Sequence, residues 1–463
     1  MSRRFPSRRG VLINTKQEVM FIRGIYADVL KEIKRRNIQD ADRFATFYMI
    51  SYACHLFNLH NQDRHIYFLN GKIPSFRLHI LFMAPPGYGK TMMLKLFSDK
   101  ETGILHECGV TISREASMTG AGFVGTINKN PDGEIVQIEG AAGIHKRSIM
   151  TVDEFSGLVT AMNSGGGNYS ELKTQMLTAL DSGDVDKRLA LDGMSYHTNL
   201  TLWTGIQPMK SDLSDGLGRR LCFILSLPTK ELRKKYKDAR MSSGNIECHP
   251  DSLQYMRRKI GIWVGSFSMI EHVNFSEEFE QFLNTTLDVE HYEVDLYERI
   301  ALGFTIVKYG CYATINVELT DDLKKILILQ ADWRWKIKRE PRVQSILEIL
   351  RTNGVADENG FGLSKSIFNE YGSKFEMSPT QIQEVIGEAS KLGYVKIRGN
   401  DVYMEAGAML KSPALELAES LNLDLDDINL DGDYQDIPEV VEAPKVVTEY
   451  DRMTNALERI LDE

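Results

Sequence analysis

The sequence predicts an α/β fold built on a largely parallel sheet, followed by a separate small module of three helices and a hairpin. Three observations lead to this. Short apolar runs ending in turns alternate with stretches of helical period, the pattern of strands crossed over by helices. The first core run, Leu78 to Met83, enters a glycine-rich turn and resumes at once as a helix. Beyond Arg342 the pattern restarts, with three helical stretches before two β-rich segments flanking Arg398-Gly399-Asn400.

Taken in order, Glu18 to Arg36 reads as an amphipathic helix, with Val19, Ile22, Ile25, Tyr26 and Leu30 at helical intervals. Asp40 to Phe57 reads as a second helix, completing an N-terminal helical region over 1–74. In the core, 75–230, strands are expected at Leu78–Met83, Gly109–Ser113, Ser148–Val152 and Cys222–Leu227, because each is a short apolar run. Helices are expected at Thr91–Phe97, Gly122–Ile127 and Tyr169–Leu180. Gly133–Gly140 and Ala141–His145 suggest a hairpin or paired short strands. Leu189–Leu191 and Ser195–Thr204 suggest two strands joined near Asp192-Gly193. Residues 231–341, helical from Asp251 to Tyr309, are expected to form a small lid. The last module, 342–410, divides into helices at Val343–Leu350, Ser364–Tyr371 and Ser378–Leu392 and a hairpin of Gly393–Ile397 with Asp401–Met404. That is the order of a winged helix. The remainder, 411–463, reads as an acidic, disordered tail with a short helix at Val447–Leu461.

Composition narrows the function classes. No apolar run is long enough to cross a bilayer, and the arginines at 3, 4, 8 and 9 precede no signal-like apolar segment. The 5 cysteines are scattered without a CxxC spacing, which points to a reducing, cytoplasmic setting and away from a disulfide framework. Cys248-His249 has no second pair nearby to complete a metal site. Of the net charge of −9, the stretch from Lys411 to Glu463 alone carries −11. The body is therefore near neutral, and a local basic surface on it is compatible with nucleic acid.

The chemistry is concentrated in two motifs. Ala84-Pro-Pro-Gly-Tyr-Gly-Lys-Thr91 departs from the phosphate-binding loop pattern only at its first position, where Ala stands for Gly. Pro86, Gly87, Tyr88 and Gly89 bring backbone amides around phosphates, at the positive end of the following helix. Lys90 reaches the β- and γ-phosphates, and the Thr91 hydroxyl holds Mg²⁺. Ser148-Ile-Met-Thr-Val-Asp-Glu154 supplies the partner: Asp153 acts on Mg²⁺, and Glu154 orients or deprotonates the attacking water. Together they predict an enzyme that binds ATP with Mg²⁺ and hydrolyses it.

These residues resemble the AAA+ superfamily, and within it the helicase core of the minichromosome maintenance (MCM) proteins. Thr119-Gly-Ala-Gly-Phe-Val-Gly-Thr126 is similar to the family's Gly-Leu-Thr-Ala segment, which opens an inserted hairpin. Glu139-Gly-Ala-Ala-Gly-Ile-His145 is similar to its Glu-Ala-Gly-Ala-Leu. The stretch from Lys187 to Thr198 falls where the family has a second hairpin, although Asp192-Gly193-Met194 replaces the usual lysine near its turn. By this resemblance Gln207, before Pro208 where the family has Asn-Pro, is the sensor of the γ-phosphate or attacking water, with Thr204 as fallback. Arg219 is the arginine finger, with Arg220 next, and Arg299 is the lid's sensor arginine. The likeness spans about residues 75 to 310, with the winged helix after it. Only about seventy residues precede the core, too few for the family's large N-terminal domain and its zinc motif.

A finger acts on a neighbour's nucleotide, so the resemblance implies a homo-oligomeric ring, most simply a hexamer. Lys129, Lys146, Arg147, Lys187 and Arg188 near the hairpins, and Arg398 in the wing, are the candidates for contact with single- or double-stranded DNA. Three readings follow: a DNA translocase or helicase in replication, an initiator or loader using ATP as an assembly switch, and a protein remodeller. The acidic tail is a candidate protein-binding segment.

Overall fold

A computed structural model describes residues 25–36, 41–61, 75–84, 86–115, 119–129, 132, 134–163, 168–188, 193–207, 216–226, 234, 237–238, 250–338, 343, 346–347, 349–350, 353–357, 360–372, 378–391, 394–404 and 412–425. The described residues all fall within one compact unit. Helices α1 (Ile25–Arg35) and α2 (Ala41–Asn61) lead into strand β1 (His79–Met83), then α3 (Lys90–Ser98) and β2 (Ile112–Glu115). A short α4 (Gly120–Val124) opens the hairpin β3 (Gly125–Lys129) and β4 (Ile135–Glu139), closed by the helical turn α5 (Ala141–Ile144). After β5 (Ile149–Val152), helices α6 (Ser156–Asn163) and α7 (Asn168–Asp181) precede a second hairpin, β6 (Asp184–Arg188) with β7 (Gly193–His197). Strands β8 (Thr201–Ile206) and β9 (Leu221–Leu225) complete the core.

Five strands form one parallel sheet in the order β2-β5-β8-β1-β9. Strands β1, β5 and β8 are buried along their whole length, as expected for central strands of a sheet covered by helices on both faces, and so is the edge strand β9. This is an α/β fold of the general nucleotide-binding type. All the strands run the same way, so the loops after β1, β5 and β8 emerge at one edge, where such sheets bind ligands.

Helix α2 is apolar nearly all round because it is a core helix. Its polar residues Ser51, His55 and Asn58 follow helical spacing and bind the sheet. Ser51 accepts from Trp203 Nε1 (2.7 Å), His55 Nδ1 meets Thr201 Oγ1 (2.8 Å), and Asn58 Nδ2 donates to Asn199 Oδ1 (2.8 Å). Each of the three side chains thereby has a partner, although His55 Nε2 makes no hydrogen bond among the described residues. Arg77, buried just ahead of β1, donates to the carbonyls of Ala179, Asp181, Thr198 and Leu200, tying the end of α7 to the entry of β8.

The following segment runs α8 (Pro250–Ser266), β10 (His272–Phe275), α9 (Glu277–Gln281), α10 (Val294–Tyr309), β11 (Thr314–Val317) and α11 (Asp321–Lys338). Sequence periodicity missed β10 and β11, a parallel pair of four residues each, because alternation over four positions does not stand out between helices. α10 lies against α2 so closely that a Cβ on Gly303 would come within 2.7 Å of Cys54 Sγ. α11 seals the sheet's β9 edge. Gln330, with its amide oriented to satisfy both groups, pairs with the N–H and C=O of Phe223 (3.2 and 3.0 Å), and buried Arg334 donates to Leu221 O (2.8 Å) and Glu293 (2.6 Å).

The last module gathers β12 (Val355–Asp357), β13 (Gly360–Ser364), α12 (Lys365–Gly372), α13 (Pro379–Lys391), β14 (Lys396–Arg398) and β15 (Asp401–Met404). The four strands form an antiparallel sheet in the order β12-β13-β15-β14. Its core includes Val343, Ile346, Leu350, Phe368, Ile382 and Val402. β14 and β15 lie where the sequence places a hairpin, while β12 and β13 add a pair it did not indicate. Residues 411–463 were expected to be a tail, yet Pro413–Ser420 form helix α14, packed on α11. Ser412 explains the difference: it caps α14 through Leu415 N and donates to buried Asp332 (2.7 Å). The helix expected at Val447–Leu461 lies outside the described residues, as does Cys248-His249. No helix among the described residues is long and apolar enough to cross a membrane.

Candidate functional site

The loop after β1 carries the first motif. Gly87 and Gly89 have φ of 81° and 90°, values that side chains disfavour, and a Cβ built on Gly87 would meet nothing within 4 Å. The loop therefore faces open space. Gly89 caps α3 and its carbonyl accepts from Met93 N (2.8 Å), so the amides of the first helical turn point the same way. Lys90 is buried and donates to Ala84 O (2.5 Å), while the Thr91 hydroxyl is on the surface. Pro86, Tyr88 and Gly89 are half-buried around them.

The second motif comes from β5. It lies two strands from β1, with β8 between, and Asp153 follows its last residue. The Thr91 hydroxyl donates to Asp153 Oδ1 at 2.7 Å, bringing together residues 62 apart in sequence. Glu154 is exposed beside them, and Gln207 Nε2 donates to its Oε2 (3.3 Å). Gln207 is itself held by its backbone N–H, which donates to Ser156 Oγ (3.2 Å). Lys90, Thr91, Asp153, Glu154 and Gln207 thus form one cluster at the C-terminal edge of the sheet. Thr204, the fallback sensor, is fully buried and bonds Val152 O (3.0 Å), so it serves the sheet and not the site.

A divalent cation fits this cluster. Neighbouring oxygens around octahedral Mg²⁺ lie about 3.0 Å apart, given metal–oxygen distances near 2.1 Å. The Thr91 and Asp153 oxygens, hydrogen-bonded at 2.7 Å, lie close enough to serve as two neighbouring ligands after a small separation. Among the described residues no group of three or more His, Cys, Asp or Glu side chains gathers as a metal site, here or elsewhere, so a cation in this cluster would take its remaining ligands from phosphate and water.

Two contributors to the cluster were missed by sequence reasoning. Arg114, near the end of β2, donates to Asp153 Oδ2 (2.9 Å). Gly205 of β8 lies between the motifs, where a Cβ would come within 2.8 Å of Asp153 O and 3.4 Å of Lys90 Cβ. Neither belongs to a motif, so pairing of strands distant in sequence was the only signal.

The three arginines lie elsewhere. Leu221 pairs with His79 at the start of both strands, so Arg219 and Arg220 sit at the sheet's N-terminal edge, opposite the cluster. Arg219 is exposed, while Arg220 is occupied by Asp181 (2.6 Å) and Gly216 O (2.6 Å). Arg299 is buried; burial pushes its pKa down, against the fields of Asp295 and Asp181. Arg220 and Arg299 therefore share Asp181 as a neighbour.

The two hairpins lie side by side. Tyr196 donates to Val124 O (2.8 Å), Gln137 to Gly193 O (3.4 Å), and Met194 Sδ lies 3.0 Å from where a Cβ on Gly125 would be. Of the basic candidates, Lys129 and Arg147 are exposed and Lys146 is exposed but paired with Glu139 (3.7 Å). Lys187 is buried, which removes it from a polymer-facing surface. The Arg188 side chain lies outside the described residues. Arg398 is exposed, over the Tyr403 ring. The segment Ala141–His145, expected as strand, is a helical turn whose His145 is buried against Glu115 (2.7 Å). Ser195–Thr204 is likewise not one strand: it breaks at Thr198–Leu200, leaving β7 in a hairpin and β8 in the main sheet.

Compared with known proteins, the chain matches no family model and no curated protein.

Proposed function

We propose that this chain is an ATP-hydrolysing motor of the AAA+ type, related to the MCM helicase core, which acts on DNA as a ring of identical copies. The observation that carries the reading is the 2.7 Å bond between Thr91 and Asp153, which unites the glycine-rich loop and the acidic strand end. The amides around Gly87 and Gly89 bind the phosphates, and Lys90 leaves its loop carbonyl for the β- and γ-phosphates. When bound through Thr91 and Asp153, Mg²⁺ supplies charge neutralisation on those phosphates. Glu154 takes the proton of the attacking water, which Gln207 holds in line. Arg219 of a second copy stabilises the charge that develops on the transferred group. The last module is read as a winged helix. Its α13 exposes Glu384 and only Lys391 as a base, which favours contact through the wing over reading of a groove.

The adjacent hairpins support a polymer as the moved substrate, and exposed Lys129 and Arg147 favour a nucleic-acid backbone. ATP turnover measured without DNA, with single strands and with duplex tests this. Stimulation by either DNA is expected, and equal rates in all three remove DNA from the reading. Lys90→Ala is expected to abolish turnover. A polypeptide is the second reading, favoured by Ile135, Val136 and Ile138, which are 41–48% exposed on β4. Stimulation by an unfolded polypeptide and not by DNA selects it.

A further inference from the structure

Asp153 is held from two sides. Its Oδ1 accepts from Thr91 on α3 (2.7 Å), and its Oδ2 from Arg114 on β2 (2.9 Å). Arg114 stands opposite Thr151 in the parallel β2–β5 pairing, two residues before Asp153. The guanidinium therefore approaches from the neighbouring strand, on the side of the carboxylate away from the loop. A carboxylate turns broadly about its last torsion, and a single hydrogen bond leaves that rotation loose. Two bonds from separate elements fix it.

We propose that Arg114 is a positioning residue for the metal: it holds Asp153 so that Oδ1 stays beside the Thr91 hydroxyl, where a divalent cation is shared between them. The proposal rests on the nucleotide-site reading above. Partners that orient a metal's ligands typically set affinity by about 10- to 100-fold. The positive charge of Arg114 acts in the opposite sense, repelling the cation. Its side chain is 61% exposed, however, so water screens that repulsion while the geometric hold persists. Orientation is the stronger effect, and removal of Arg114 weakens metal binding.

The test uses the full chain, wild type and the variants Arg114→Gln and Arg114→Lys, titrated calorimetrically with ATPγS in MgCl₂ and again in EDTA. In the wild type the metal tightens nucleotide binding. Arg114→Gln is expected to lose about 10-fold of that gain while its affinity in EDTA stays at the wild-type value, and Arg114→Lys to recover part of the loss. An unchanged or larger gain in Arg114→Gln overturns the proposal, as does an equal fall in both buffers, which marks general damage to the loop. A wild type that binds ATPγS in neither buffer defeats the nucleotide-site reading itself.

Discussion

Gly205 has no room for a side chain, and that makes it the sharpest single-residue test of the site. A methyl group there would press on Asp153 O at 2.8 Å and on Lys90 Cβ at 3.4 Å. Gly205→Ala is expected to cost about 1–3 kcal/mol and to separate the two motifs. Circular dichroism should show a folded protein, and ATPγS titration a large loss of affinity; wild-type affinity would show that the site tolerates the shift. His55 makes a different prediction. Burial, helped by the charge of Arg77, lowers its pKa from 6.5 to about 3, so it is neutral in the native state. The unfolded chain takes up a proton as pH falls through 6.5 and the native one does not. The stability is thus full above that pH and falls continuously toward about 3. From pH 7 to pH 5 this single group accounts for a loss of about 2 kcal/mol. Urea unfolding of His55→Gln at the two pH values should show a dependence flatter by about that amount.

Among the elements, the short helix α14 shows how one side chain converts an acidic stretch into ordered structure. Ser412 both caps it and reaches Asp332, while Ala414 and Ala418 bury small faces on α11. Ser412→Ala should release the helix locally, at about 1–2 kcal/mol. The readout is hydrogen exchange: amides of 413–420 speed up while those of the central sheet do not. Equal protection in both proteins would mean that the alanine contacts alone suffice. The buried face of α14 consists only of Ala414 and Ala418, one helical turn apart, and two alanines in a strongly acidic stretch give no readable apolar period. Helix α2 was legible as a helix, but its Ser51, His55 and Asn58 look out of place in an apolar element until the segments they bind are adjacent. Although β2 was placed about three residues early and β8 was merged with β7, strands β1, β5 and β9 and helices α3, α7, α12 and α13 were read nearly to their ends. Their apolar runs are long enough, or their turns distinct enough, to stand without tertiary information.

At the scale of the whole molecule, the site residues divide between two edges of one sheet. Arg219 precedes β9 and Glu154 follows β5, so a strand length of about 16 Å separates their levels. Within one copy the two cannot act on the same phosphate. The finger assignment therefore requires a second chain, and mixing tests it. Arg219→Ala is expected to bind ATP yet fail to hydrolyse it, and Glu154→Gln likewise. Mixed together they should regain part of the turnover, because some boundaries combine an intact Glu154 with an intact Arg219. Unchanged turnover in Arg219→Ala rejects the assignment.

What the sequence determined by itself was local: the strand–turn–helix around Lys90 and Thr91, the acidic end of β5, and the short apolar runs that become buried strands. Each depends on neighbours within a few residues, which periodicity and turn chemistry record. The tertiary structure alone decided which distant residues meet. It placed Arg114 and Gly205 beside Asp153, turned Lys187 inward, committed Arg220 to Asp181 and left Arg219 exposed. Those outcomes are set by strand order and helix docking. Such contacts link residues far apart in the chain, so no local pattern carries them.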